Sequence, residues 1–317
     1  MSSTSGSHLL TKDELKALTE INAVRVWGSL AGWWLTVVGA IFLGIWLGLS
    51  LWLVPLIIVI GCLQNALILW THEGSHGNLH RDLKRNDVLA DLLICGPLGV
   101  TVDGYRWHHS RHHKYLGDPQ QEIELSAFAC IRGGQLWTHI GRHMFGAVAY
   151  GVIFRRNRFE GHNKFPQPPP RSPAAWIGFV ALNGALFLSC ILLGAWWAYF
   201  ALWVFPLFTI SIMVSNFRTI VEHQPSSDVC DSGDAAIPAI VRIVTTNWLE
   251  RTLVAPIGFY YHYEHHLYPK VPYHNLPAVR AALKAHGHYS EETVRANGFV
   301  RTIWNLSRDP EFQRRWL

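Results

Sequence analysis

Eight histidines of this 317-residue chain fall in three tight clusters, His72-Glu-Gly-Ser-His76, His109-Ser-Arg-His112-His113 and His262-Tyr-Glu-His265-His266. Neutral imidazole is a good ligand for iron, zinc or copper. The i, i+3, i+4 spacing puts the rings of each cluster on one face of a helix. One such cluster is ambiguous; three beside long apolar stretches point to a polynuclear metal centre at a membrane surface.

The apolar stretches set the architecture. Half of the residues are hydrophobic and only 15% are charged, against roughly 25% in soluble domains. Two uncharged runs, 29–48 and 51–71, each reach the roughly 20 residues of a spanning helix, and their short join predicts a hairpin. A second tight pair follows at 174–194 and 196–215. The expected fold is therefore an all-α integral membrane protein. It has two transmembrane hairpins (four spans) and a cytoplasmic helical cap holding a His-rich di-metal site. The expected division is 1–28, an amphipathic interfacial segment whose helix covers 12–27; 29–71, the first hairpin; 72–173, a cytoplasmic or interfacial region with the first two clusters; 174–215, the second hairpin; and 216–317, a cytoplasmic cap with His223 and the third cluster. Lys and Arg concentrate in 72–173 and 216–317, which places those segments and both termini in the cytoplasm. The stretch 88–102 is too short to span comfortably and contains Gly96, Pro97 and Gly99, while 128–153 includes Arg132, Arg142, His139 and His143, which are costly in hydrocarbon; both are read as interfacial or re-entrant. Pro166–Pro173 is read as a stiff linker.

Composition also excludes. Basic residues exceed acidic ones only mildly, 27 against 22, in runs such as Arg81-Asp-Leu-Lys-Arg85 and Arg155-Arg156-Asn-Arg158. These suit anionic lipid head groups, and no nucleic-acid motif is present. Five scattered cysteines without a C-x-x-C pair indicate neither a disulfide framework nor an iron–sulfur cluster. Met1–Gly6 is polar and unlike a secretory signal, so no cleavage is expected.

His223, in Arg218-Thr-Ile-Val-Glu-His223, is a ninth candidate ligand, balanced evenly against a surface histidine. Eight or nine imidazoles exceed what one ion can use, so two metals follow. Di-iron bundles of the carboxylate type place Glu-x-x-His on two helices; only Glu73-Gly-Ser-His76 fits that here, which makes this a histidine-rich set. The isolated pair His139/His143 is read as interfacial decoration.

These boxes, HxxxH, HxxHH and HxxHH in that order, resemble those of the membrane fatty acid desaturase–hydroxylase superfamily. Trp107–Pro119 is similar to its second box with the following Asp-Pro, Arg218–His223 to its Arg-Thr-x-x-Glu-His element, and Tyr261–Pro277 to its third box and tail. The likeness runs from about residue 29 to 283. It implies that His72, His76, His109, His112, His113, His223, His262, His265 and His266 hold two irons, which react with O2 and external electrons to attack an unactivated C–H bond. His108 is the reserve for His109, because His108-x-x-x-His112-His113 matches a hydroxylase-like spacing. Thr219 stands where some relatives carry a water-linked Asn. Glu73, Asp91, Asp118, Glu222 and Glu264 are candidates to orient the rings through their second nitrogen. Arg218 and Asn275 are candidates for a substrate head group, with helix capping the plainer reading.

Three functions compete. The resemblance implies desaturation of a fatty-acyl lipid; hydroxylation, or ketolation of a carotenoid, is the runner-up on the same iron set. His72-Glu-Gly-Ser-His76 also spells the H-E-x-x-H of zinc proteases, but that leaves two boxes without purpose. A metal transporter is disfavoured because transport ligands lie near the bilayer midplane. The sequence shows no His-Pro-Gly-Gly haem signature, nucleotide-binding glycine loop or cysteine cluster, so a separate donor of ferredoxin or cytochrome b5 type is expected.

Overall fold

The structure, a computed structural model, describes residues 9–118, 135–147, 172–223, 237–289 and 295–308. Helix α1 (Lys12–Leu18) opens with a capping box between Thr11 and Glu14. Thr19 ends it, and Asn22 then caps α2 (Ala23–Leu47). The amphipathic helix expected over 12–27 is thus two elements. Its second half is the first turn of a longer span, because the Asn22 side chain accepts from the Arg25 amide at 3.1 Å and starts a new helix.

Four helices are long and apolar enough to cross a membrane: α2, α3 (Leu53–Ser75), α7 (Pro173–Leu192) and α8 (Trp196–Glu222). Between the hairpins run α4 (Leu83–Ala90), which continues as a π-helical turn over Asp91–Cys95, then α5 (Val102–Lys114) and α6 (Gln135–Met144). After α8 come α9 (Ile237–Ile240), β1 (Ile243–Thr245), α10 (Trp248–Leu253), α11 (His262–Leu267), α12 (Leu276–Ala285), β2 (Arg295–Asn297) and α13 (Phe299–Arg308). Strands β1 and β2 pair in parallel and form the sheet of the described residues. Half of 128–153 and most of the Pro166–Pro173 linker lie outside those residues; Pro173 itself is the first residue of α7, capped by Ser172.

The spans are held by close approach and buried polar contacts, as expected where lipid removes most of the hydrophobic drive between helices. Ile60, Leu63 and Leu67 of α3 pack on Leu202, Trp203 and Leu207 of α8. Gly178 of α7 lies against the turn at Asp91–Cys95, where a methyl group would meet the carbonyl oxygens of Leu92 and Asp91. Helix α8 contains π-helical stretches at Tyr199–Val204 and Leu207–Ser211 and extends seven residues past the expected end at 215. It therefore delivers Arg218, Glu222 and His223 to the end of the bundle where α3 delivers His72. Asn183 is the polar knot of the second hairpin. Its Nδ2 donates to Pro97 O at 3.1 Å, and its Oδ1 accepts from Tyr199 Oη at 3.0 Å and Trp203 Nε1 at 2.8 Å. Asn183→Leu loses all three and is expected to cost about 2 kcal/mol, read as a lower melting midpoint in detergent; an unchanged midpoint shows the knot to be neutral.

Candidate metal centre

The nine candidate histidines come together in two adjoining groups. His72, His76, His109, His113 and His265 form one; His112, His223, His262 and His266 form the other, and within each group the ligand atoms lie within 4.8 Å of one another. Helix α3 supplies His72 from its last turn and His76 as its C-cap. Helix α5 supplies His109 and His113 to the first group and His112 to the second. Helix α11 divides likewise, with His265 in the first group and His262 and His266 in the second. His223 follows the last residue of α8. His108 is exposed, its ring against Trp107, so α5 presents His109 inward and His108 outward.

The rings converge through Nε2. His72 lies 2.9 Å from His265, and His113 lies 3.0 Å from His109 and 3.1 Å from His265. In the second group His223 is 3.1 Å from His112 and 3.2 Å from both His262 and His266. Nitrogens at about 2.1 Å from one ion stand about 3.0 to 3.4 Å apart in octahedral or tetrahedral geometry, so these spacings fit the edges of a ligand shell. Hydrogen bonding among the rings does not explain them, since a neutral imidazole carries one N–H. At His223 that N–H is Nδ1, because it meets the carbonyl oxygen of Thr219 at 3.0 Å. Its Nε2 therefore aims a lone pair at three other Nε2 atoms. Burial first, and then repulsion among neighbouring rings, pulls His76, His113, His262, His265 and His266 well below the ordinary imidazole value. Near neutral pH these rings are uncharged, the form that binds a metal.

The carboxylates serve as ties between elements. Glu73 accepts from Tyr273 N at 3.0 Å and Asn78 Nδ2 at 3.2 Å, with Oε1 3.5 Å from His72 Nδ1. It joins the end of α3 to the segment after α11, and is not free to act as the general base of a zinc protease. Glu264 accepts from Arg280 Nε at 2.7 Å and Arg280 NH2 at 2.8 Å, which fixes α11 on α12. Asp91 accepts from Val102 N at 2.7 Å and so sets the start of α5. Glu222 is ion-paired with Arg218 and lies 3.8 Å from His262 Nε2. Asp118 lies in the turn after α5, its amide donating to Tyr115 O at 2.8 Å.

Both head-group candidates are engaged inside the protein. Arg218 is buried, paired with Glu222, and stacks 4.1 Å from the Phe259 ring centroid. Asn275 donates to the carbonyls of Leu18 and Glu20 at 2.8 and 3.1 Å, which clamps the end of α1. The pair read as decoration is also structural. His143 is fully buried, with Nε2 2.8 Å from Asn216 Nδ2, so α6 packs on α8 through it and outside both groups.

Sequence reasoning missed Arg242. Its NH1 lies 3.2, 2.9 and 3.0 Å from the carbonyl oxygens of Ile220, Val221 and His223, and its amide donates to Glu222 O at 2.7 Å. One guanidinium thus satisfies carbonyls that α8 leaves unpaired at its end and fixes the stem of His223. The available signal was a lone Arg between Val241 and Ile243. Arg106 does the same for α3, donating to Ser75 O at 2.7 Å and pairing with Asp87.

A family model for fatty acid desaturase matches residues 50–296, and the chain belongs to that family. It is 29% identical over 244 residues to a dihydrorhizobitoxine desaturase of Bradyrhizobium elkanii, covering 71% of this chain and 66% of that enzyme. It is 34% identical over 222 residues to a beta-carotene ketolase of a Paracoccus species, covering 69% of this chain and 75% of the ketolase. A chloroplastic omega-6 fatty acid desaturase of Spinacia oleracea is 23% identical over 308 residues, covering 91% of this chain and 66% of that protein. The matches thus span just under two thirds of the length of both desaturases.

Arg242→Ala is expected to weaken metal binding at the second group by about 10–100-fold, measured by metal titration of the purified protein, with the first group retained. Equal affinity at both groups in the variant overturns the role given to Arg242.

Proposed function

We propose that this chain is a di-iron oxidoreductase that uses O2 and external electrons to desaturate a fatty-acyl lipid. The observation that carries the reading is the convergence of nine imidazoles into two adjoining groups, in a chain of the desaturase family. The proposed ligands are His72, His76, His109, His113 and His265 for one iron and His112, His223, His262 and His266 for the other. With O2 and two electrons, the iron pair supplies an oxidant strong enough to take hydrogen from unactivated carbon. Over the whole reaction two C–H hydrogens leave as a C=C bond forms, and O2 leaves as two waters with two further protons.

The protein's part is to hold and to exclude. Imidazole ligands are neutral, so the metals keep more positive charge than a carboxylate shell would leave. A tight gap lined by His72, Glu73, His262, His265, Ile257, Phe259 and Tyr273 adjoins both groups and leaves no room for a water beside the rings. Phe259 lies edge-on to His72 at 4.7 Å and stacks with His262 at 5.2 Å, while the Arg218 guanidinium covers its face; together they keep water from the rings. Thr219, through its carbonyl, holds His223 in the tautomer that frees Nε2.

Both termini and the site are assigned to the cytoplasmic face, supported by the Lys and Arg of the segments outside the hairpins. Electrons come from a separate carrier of ferredoxin or cytochrome b5 type. Hydroxylation or ketolation is the second reading, favoured by the 34% identity to a beta-carotene ketolase.

Cells expressing the protein and fed saturated lipids and carotenoids are expected to yield a product two hydrogens lighter by mass spectrometry. A product heavier by one oxygen (hydroxylation), or by one oxygen less two hydrogens (ketolation), selects the second reading. Chelation is expected to abolish turnover, with Fe(II) and not Zn(II) restoring it. His112→Ala and His265→Ala should each lose turnover by orders of magnitude while still inserting in the membrane. Purified active protein without iron overturns the proposal.

A further inference from the structure

Three short helices, α6, α10 and α13, stand outside the four spans and outside the histidine groups. Each buries one face and leaves apolar bulk on the other. Helix α6 buries Leu136 and His143 but exposes Trp137, and Phe145 just beyond it is 90% exposed. Helix α10 turns Glu250 inward and exposes Leu249 and Trp248, the latter by 75%. Helix α13 buries Phe299 and exposes Trp304 and Val300, the latter by 70%. Apolar exposure of this extent on a water-facing surface marks an interaction site.

Their depth follows from what they touch. Just after α10, Val254 O accepts from Asn65 Nδ2 at 2.9 Å. Asn65 lies seven residues before His72 on α3, about 10 Å further into the span at 1.5 Å per residue. Val254 also joins the apolar cluster built on Leu69 and Trp70. Helices α6 and α13 pack together around Phe217 and Ile220, in the last turns of α8, and meet where Trp137 and Trp304 touch edge to face at 5.9 Å. Helices α6 and α13 therefore flank α8 where it nears the histidines, and α10 ends about two turns deeper along α3.

Their charge is one-sided. Arg142, Arg251, Arg301 and Arg308 are exposed, and Arg308 stacks 4.2 Å from the Trp304 ring centroid. The one acid in these helices is Glu250. It is buried and accepts from the amides of Phe299 and Val300 at 2.7 and 3.1 Å, so it starts α13 and shows little charge outward. Between α10 and α13 opens a cleft of about 650 Å³ walled by Asn247, Asn297, Arg301 and Trp304 among others. Trp prefers the polar–apolar boundary of a bilayer, and Arg beside it reaches to anionic head groups.

We infer that α6, α10 and α13 form a collar bedded in the head-group layer of the leaflet beside the histidine groups, with anionic phospholipid as its partner. The collar is continuous with the lipid-facing surface of the spans, and the inference rests on reading those four helices as membrane-crossing. It sets the depth of the metal centre by gripping the boundary from the side, and the cleft gives one phosphate-bearing head group a seat against Arg301.

The test places p-benzoylphenylalanine singly at positions 300, 304 and 35 of the full chain, in nanodiscs of phosphatidylcholine and phosphatidylglycerol. Leu35 is an exposed residue of α2 and serves as the span control. After irradiation, intact-mass analysis is expected to show lipid adducts at all three positions. Adducts at 300 and 304 should favour phosphatidylglycerol severalfold over its share of the bilayer, while those at 35 follow the mixture. Adducts at 35 with none at 300 or 304 overturn the collar, and loss of the phosphatidylglycerol preference overturns the choice of partner. No adduct at 35 either sinks the membrane-crossing reading itself, and the collar with it. An independent check keeps the natural side chains: quenching by brominated lipid should fall in Trp304→Phe, and quenching unchanged from the parent counts against the collar.

Discussion

Ring nitrogens crowded together cannot all satisfy one another with a single N–H each, and this molecule holds nine imidazoles in that posture within two groups. Such an arrangement is stable only with cations between the rings, or with the backbone behind each ring fixed firmly enough to hold it. The structure provides the second condition throughout, and the first is what the proposed iron pair supplies. Much of the remaining architecture serves to bring helix ends to this place and keep them there.

The ties that do so are ionic or charge-assisted, and they link residues distant in sequence. Glu73 reaches the Tyr273 amide, Arg280 holds Glu264, and Asp91 fixes the first turn of α5. Arg106 and Arg242 each gather carbonyls at the end of a spanning helix, where the helix dipole leaves negative charge. Hydrogen bonds to charged groups are stronger than neutral ones. They are also directional, which suits anchoring a ring more than general burial does.

Much of this was legible in the sequence. The boxes had helical spacing and resembled those of a known family, and the two uncharged pairs were long enough to span, so the nine clustered histidines and the four helices could both be named. What failed was local. The helix expected over 12–27 breaks because Asn22 caps a new one, a short-range contact that outweighs amphipathic periodicity. The end of the fourth span was set at 215 by hydropathy, yet buried partners carry α8 on to Glu222 as regular α-helix. Arg218 and Asn275 were candidates for a head group, with helix capping the plainer reading, because they are polar residues beside a motif. Their partners, Glu222 and the carbonyls of Leu18 and Glu20, appear only once the chain is folded. Arg242 and the burial of His143 were hidden for the same reason. A pattern along the chain shows which residues share a face, but not which distant group will meet them.

The interleaving of the histidine boxes has a mechanical consequence. On α5, His112 faces one group while His109 and His113 on the same turn face the other; on α11, His265 is set apart from His262 and His266 in the same way. Neither helix can shift to suit one ion without displacing ligands of its neighbour. An ion seated in one group would thus also help to order the two helices that carry ligands of the other.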